Sequence, residues 1–416
     1  MGGSSSINTG DTAFVLVGAA LVLLMTPGLA MFYGGMVRRK NILSILMQCF
    51  ILMCLVGVQW VVFGYSLAFG PDLGHLVGSL GWIGLRGVGF APNPDYAATI
   101  PEQAFMIFQA MFAIITPALF IGAFAERIKF SGFFAFVLLW AALVYDPVAH
   151  WVWGAGGWLR NLGILDFAGG LVVHASAGVS ALVLCIMIGK RKGFNQVAMA
   201  PHNLPFTVLG TGLLWFGWFG FNAASALSAN QVAVNAFVAT NTASAAAGLT
   251  WALIEWIFKG KPTVLGTASG AVAGLATITP ACGFVGPMSS IIIGVAAGAL
   301  CYLAVTKLKA WWGYDDSLDV FGVHCVGGAL GSLAVGLFAQ KALNPAGNNG
   351  LFFGNPQQFT VQITGVAAVI AFAAVFSVIL YLVIDNVIGM RVEERDEEEG
   401  LDLSQHSESA YGLESE

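Results

Sequence analysis

Charge is what this chain lacks. Of its 416 residues only 9% are Asp, Glu, Lys or Arg. A soluble globular chain carries about 25%. A chain this poor in charge cannot cover itself with a hydrated surface, which excludes an ordinary soluble domain. Cysteine is also scarce. The six cysteines sit in or beside apolar runs and show no paired spacing, which excludes a disulfide framework and argues for small buried hydrophobes. No cluster of His, Cys and carboxylates has a metal-site spacing, so no cofactor or metal is expected. The opening stretch MGGSSSINTGDT has no charged segment ahead of an apolar core and does not read as a signal peptide.

What remains is apolar. Hydrophobic residues make up 57% of the chain, and runs of 18 or more recur from end to end, as transmembrane helices require. The runs predict an all-α polytopic membrane protein with eleven spans, near 12–35, 42–67, 102–125, 131–154, 167–189, 203–223, 232–258, 264–281, 287–307, 320–340 and 361–388. The eighth is short and glycine-rich.

Alternate loops hold Arg38, Arg39, Lys40, Arg127, Lys129, Lys190, Arg191, Lys192, Lys259, Lys261, Lys307, Lys309, Arg391 and Arg395, against Arg86, Arg160 and Lys341 in the other set. That is 14 against 3, together the 17 basic residues. The asymmetry predicts a cell-membrane protein with the basic loops and C-terminus cytoplasmic and the N-terminus outside. The 53 glycines, with G-x-x-x-G at Gly270/Gly274, Gly294/Gly298 and Gly327/Gly331, predict close helix contacts.

Two histidines interrupt the apolar pattern. DFAGGLVVHASAG places His174 in the fifth span, and DVFGVHCVGG places His324 in the tenth. Aligned on His, the segments share Val173 with Val323 and Gly178 with Gly328, and an aspartate precedes each, Asp166 and Asp319. An odd offset of five spans opposes the two helices. That is the mark of an inverted five-plus-five repeat, about 12–189 and 203–340, with an extra eleventh helix outside it and a site at the repeat interface. The histidines lie about eight and about five residues into their spans, well inside the hydrocarbon at 1.5 Å per residue. An ionisable group there marks function by default. Two neutral imidazoles are able to bond one another and still face a substrate or pass a proton.

Aromatics supply the rest. Phe108 and Phe112 stand one turn apart on the third span. Trp218, Phe221 and Ser225 share one face of the sixth, and Trp153 ends the fourth. An outer layer of Phe108, Trp153 and Ser225 suits a small cation, each ring contributing about 0.5–2 kcal/mol of cation–π attraction. Phe112 and Phe221 beneath it form an apolar gate. Asp166 reads as a helix cap or a cation-attracting carboxylate, the cap being favoured. Asp146, ahead of a proline taken to interrupt its helix, has no assignment. Residues 389–416 hold 10 of the 22 acidic residues and read either as a solvated tail or as a regulatory segment.

These segments resemble the Amt/Mep/Rh ammonium transporters, on the Amt side. The resemblance runs through GMVRRKN, FAIITPAL, AHWVWG, LDFAGGLVVH, GKRKGF, PHNLPF, GWFGFNA, TPACGFVGP and DVFGVH, and through the tail pattern ending in AY. It implies a homotrimer with one pore per subunit. Phe108, Trp153 and Ser225 would be the outer ammonium site, with Trp218 beside the pore. Phe112 and Phe221 would be the gate, His174 and His324 the twin histidines, and Asp166 the supporting aspartate. It also implies that a PII-type signalling protein docks on the cytoplasmic face and tail. The function expected is ammonium recruitment, deprotonation and conduction of ammonia, with 1–388 as transporter domain. A sensor on the same scaffold is the second expectation, although only about 27 residues follow the last span. A membrane enzyme binding a metal through both histidines is disfavoured, because Cys325 points about 100° away from His324 on a helix.

Overall fold

The computed structural model describes residues 7–412. The first six residues of the polar opening stretch and the last four tail residues lie outside them. In hydrocarbon every backbone amide must be paired within the chain, so the apolar runs become helices. They are α1 Thr9–Met36, α2 Arg39–Phe69, α3 Glu102–Ala123, α4 Phe130–Leu162, α5 Gly170–Met187, α6 Leu204–Ala226, α7 Gln231–Lys259, α8 Val264–Ile278, α9 Pro287–Trp312, α10 Phe321–Phe338 and α11 Pro356–Val387. Ten are long and apolar enough to cross a membrane. α8, with 15 residues, is the short one, only about 22 Å long. It is buried over most of its length.

Helix starts follow local chemistry. Asn8 accepts from Gly10 N (2.9 Å) and Asp11 N (3.0 Å) ahead of α1. Asn230 caps α7 and Thr263 caps α8 the same way. Pro287 and Pro356 open α9 and α11, where a missing N–H costs nothing.

Several helices contain a wider turn with i→i+5 bonding. Ala141–Tyr145 in α4 recurs five helices later as Ala304–Leu308 in α9. Gly170–Ala175 in α5 recurs as Phe321–Cys325 in α10. Four of the five wide turns among the described residues thus follow the repeat that the histidines predict; the fifth, Trp60–Gly64 in α2, has no counterpart in α7. α4 also runs on through Asp146-Pro147, contrary to the expected interruption, because Pro147 falls at the start of the regular turn after the wide one.

Glycines set the helix spacing as expected. A Cβ at Gly270 or Gly274 would come within 2.6 Å of Trp251 or Ala247 on α7. At Gly294 and Gly298 it would reach α7 carbonyls at 2.4 and 2.5 Å. α1 packs along α6, the first helices of the two halves.

The basic loops gather at one end, where the tail closes over them. Buried Arg127 donates to the carbonyls of Gly189 (2.8 Å) and Asp315 (2.5 Å). Arg38 pairs with Glu126 at 2.7 Å and Arg191 with Asp315 at 2.8 Å. The tail forms α12 Glu394–Glu399 and α13 Leu401–His406. Arg391 bonds Ile188 O, Lys190 O and Glu397. Asp402 accepts from Ser44 N (2.9 Å), and Tyr411 meets His202 Nε2 at 2.9 Å. The solvated-tail expectation is therefore corrected. Four of its acidic residues, Glu394, Glu397, Glu398 and Asp402, are matched to loop donors, while Glu393, Glu399 and Glu408 stay exposed.

Candidate functional site

α5 and α10 cross at the two histidines. A Cβ at Gly178 would lie 2.2 Å from Cys325 N, and one at Gly328 would lie 2.6 Å from Gly170 O and 2.8 Å from His174 Cβ. As α10 advances from 325 to 328, its partner on α5 retreats from 178 toward 170, so the helices are antiparallel. The two glycines shared by the histidine segments are the contact that lets the backbones meet.

The imidazoles of His174 and His324 stack at 5.2 Å between centroids with a 20° interplanar angle. They do not hydrogen-bond each other. His174 Nδ1, His174 Nε2 and His324 Nδ1 are buried without any protein partner. Orphaned polar atoms in an apolar interior are costly, so this position favours a guest able to hydrogen-bond. A cavity of about 10 Å³ lies beside the rings, lined by Leu29, Ile115, Leu119, Leu214, Trp218 and Phe221 among others. It has room for about one water-sized molecule.

On the side away from the basic loops, Phe112 and Phe221 pack against each other. Their rings lie 4.3 Å apart at 39°, and Phe221 stands 6.0 Å from His174. Beyond them opens a cavity of about 530 Å³ lined by Phe112, Trp153, Ser225, Gln109 and Asp166. Trp153 packs edge-on to Phe112 at 6.1 Å, and its indole donates to Asp166 O at 2.8 Å. Ser225 Oγ donates to Phe221 O at 2.8 Å and keeps its lone pairs for another donor. Toward the basic end a second cavity, about 290 Å³, reaches His324 past Tyr33, Glu255 and Asp319.

Not every expected residue stands where it was expected. Phe108 is fully buried, 5.0 Å from Phe112, and does not line the larger cavity, because α1 approaches it at Gly18. Trp218 lies at the histidine level, 5.4 Å from His174, with its indole donating to Thr279 Oγ1 (2.9 Å). The carboxylate of Asp166 is consumed by four backbone amides, those of Gly169, Gly170, Leu171 and Val172, at 2.6–3.3 Å. It is a cap for the helix that carries His174.

The counterpart of Asp166 is Asp316 rather than Asp319. Asp316 stands eight residues before His324, as Asp166 does before His174, and accepts from Phe321 N at 2.8 Å. Asp319 instead pairs with Lys309 at 2.5 Å from a left-handed backbone, φ 64°. Asp146 accepts from Gln59 Nε2 at 2.8 Å, inside the bundle. Among the described residues no group of three or more His, Cys, Asp or Glu is arranged to hold a metal ion. Sequence reasoning missed Gln109, Glu255 and Asp316. Only Asp316 left a signal, its spacing from His324.

The family model described as the Ammonium Transporter Family matches residues 13–411. An ammonium transporter of Bacillus subtilis is 53% identical over 402 residues, covering 97% of this chain and 98% of the relative. The ammonium transporter Amt1 of Archaeoglobus fulgidus is 47% identical over 406 residues, covering 97% and 100%. Among solved structures, Mep2 of Candida albicans superposes with a TM-score of 0.89 at 34% identity, covering 94% of this chain and 88% of that one. A structure named a sensor Amt protein superposes at 0.88 with 28% identity, covering 95% and 98%. Eleven packed helices, a paired-histidine crossing between two cavities and these likenesses have one reading: the chain belongs to the ammonium transporter family, and it is a multi-pass membrane transporter rather than an enzyme.

Proposed function

We propose that the chain recruits ammonium ion in the larger cavity, strips its proton there and conducts ammonia past Phe112 and Phe221 to the stacked histidines. Trp153 supplies an aromatic face to the ion and Ser225 an acceptor, with Phe108 backing Phe112. Cation–π attraction of about 0.5–2 kcal/mol per ring concentrates the ion. It does not compensate for drawing a bare charge into hydrocarbon, which costs several kcal/mol. Loss of the proton removes most of that cost. Ammonia is small, neutral and able to hydrogen-bond, and the three unpartnered imidazole nitrogens between the cavities carry this reading. Trp218 confines the guest beside His174, and Asp166 holds the helix bearing that histidine.

The proton takes a separate route through the imidazoles, each accepting at one nitrogen and releasing from the other. Potassium has no proton to lose and is excluded by chemistry more than by size. The basic end faces the cytoplasm of a cell membrane, by the asymmetry of Lys and Arg. Residues 389–416 form the regulatory tail on that face, where a PII-type protein docks, and three subunits assemble, each with its own pore.

The likeness to a sensor Amt protein keeps one other reading, binding without flux. Substrate-evoked current on purified protein separates them. Sustained ammonium current lost in Phe221→Ala supports transport; saturable binding with no current supports the sensor.

A further inference from the structure

Three residues before Trp153, α4 carries His150, which is fully buried. Both ring nitrogens are committed. Nδ1 lies 2.9 Å from Ala68 O, and Nε2 lies 2.8 Å from Asp72 Oδ1. A carbonyl oxygen only accepts, and so does a carboxylate. The two oxygens of Asp72 also accept the backbone N–H of His75 at 3.0 and 3.2 Å, and Oδ2 lies 3.2 Å from His75 Nδ1. A neutral imidazole would point one lone pair at an oxygen lone pair. Opposite an ionised Asp72, the hydrogen-bond accounting places hydrogen on both nitrogens of His150.

The surroundings are built for this pair. A Cβ at Gly154 would come within 2.5 Å of His150 Nδ1. One at Gly157 would fall 2.0 Å from His150 O, and one at Gly156, where φ is +94°, 2.7 Å from Asp72 Cβ. Asp72 opens a small hairpin, β1 Asp72–Leu73 with β2 Val77–Gly78. That hairpin is pinned to the chain on both sides of Trp153. Trp151 Nε1 donates to Leu76 O at 2.8 Å, and His75 Nδ1 faces Gly156 O at 2.7 Å.

We propose that His150 is a positioning residue, an imidazolium ion-paired with Asp72, that clamps the hairpin to the end of α4 and so fixes Trp153 at the recruitment cavity. The ring touches no substrate. It acts by holding Trp153 in place, which places the indole over the cavity and its N–H on Asp166 O. The pair is buried on the His150 side only, and removing either partner leaves the hairpin without this tie to α4. The inference rests on the recruitment role given to Trp153 above.

Two measurements test it. In ¹⁵N-histidine-labelled protein in lipid near neutral pH, we expect one buried ring with both nitrogens protonated, absent from His150→Gln; an unprotonated nitrogen on His150 overturns the proposal. In current assays, Asp72→Asn and His150→Gln should raise the half-saturating ammonium concentration about tenfold with the maximal current kept, as for lost positioning. Trp153→Leu is the control. If it weakens ammonium affinity and Asp72→Asn does not, the clamp is refuted. If Trp153→Leu leaves affinity unchanged, the recruitment reading itself fails and the positioning role falls with it, while the labelled spectrum still reports the charge on His150.

Discussion

Gly178 and Gly328 are reciprocal: each, four residues past its histidine, is pressed against the backbone of the other histidine's helix. The stacking of His174 on His324 at 5.2 Å depends on that double contact. The repeat, the crossing and the chemistry are one feature, since a methyl at either glycine would separate the helices that bring the two imidazoles together.

Substitution at the crossing should be costly. Gly178→Val or Gly328→Val forces a shift of backbone and is expected to destabilise by about 1–3 kcal/mol. Gly212→Ala on α6 has nothing within 4 Å of the new methyl and should be neutral or slightly stabilising, by less than about 1 kcal/mol. Thermal unfolding in detergent compares them. Equal midpoints for all three would refute the close-contact account.

Phe221→Ala and His174→Ala should each reduce selective ammonium current by at least about tenfold while the oligomer still elutes as for the native chain. Phe221 loses its 4.3 Å contact with Phe112, and His174 loses two unpartnered nitrogens. Unchanged current in either variant counts against the path described, and normal transport by His324→Leu would reduce the pair to packing.

The tail should come away when its anchor is cut. Asp402 accepts from Ser44 N at the start of α2, and Leu401 N donates to Asn41 Oδ1. Asp402→Ala leaves the first of these unmade, at a cost of about 1 kcal/mol, and amides of 391–411 should exchange faster. Deleting residues 390–416 should abolish binding of a PII-type protein, and pull-down of the deletion by that protein would refute the docking role.

Acid should loosen the basic end. Burial alone would push the Glu126 carboxyl up, but Arg38 and Arg191 outweigh it and hold it below the usual carboxylate range. Asp315 is likewise held low by Arg191 and Arg127 against burial. Groups with depressed folded values stabilise fully above their unfolded values, about 4, and lose that contribution as pH falls through the folded ones. The unfolding midpoint should fall across that acid range, and Glu126→Gln should flatten the decline. A parallel decline in the variant would exclude Glu126 as a source.

Much of this was legible in the sequence because lipid leaves few choices. Apolar runs had to become helices, and the Val and Gly shared around two buried histidines marked the repeat and, unexpectedly, its contact point. Asp319 was matched to Asp166 by its place at the head of a motif, yet spacing from the histidine selects Asp316. Phe108 was placed at the mouth by helical phase alone, and phase does not say how closely α1 would approach at Gly18. The tail misled because composition records its charge but not the Lys40, Asn41 and Lys192 partners supplied from far along the chain.

The central claim is that the ion gives up its proton before it reaches the stacked imidazoles. Solid-supported-membrane current on purified protein, ammonium against potassium at equal concentration, tests it most directly. We expect current with ammonium, none with potassium, and loss of the ammonium response in His174→Ala. Potassium current comparable to that of ammonium in the native chain would mean that an intact cation crosses, and would contradict the account.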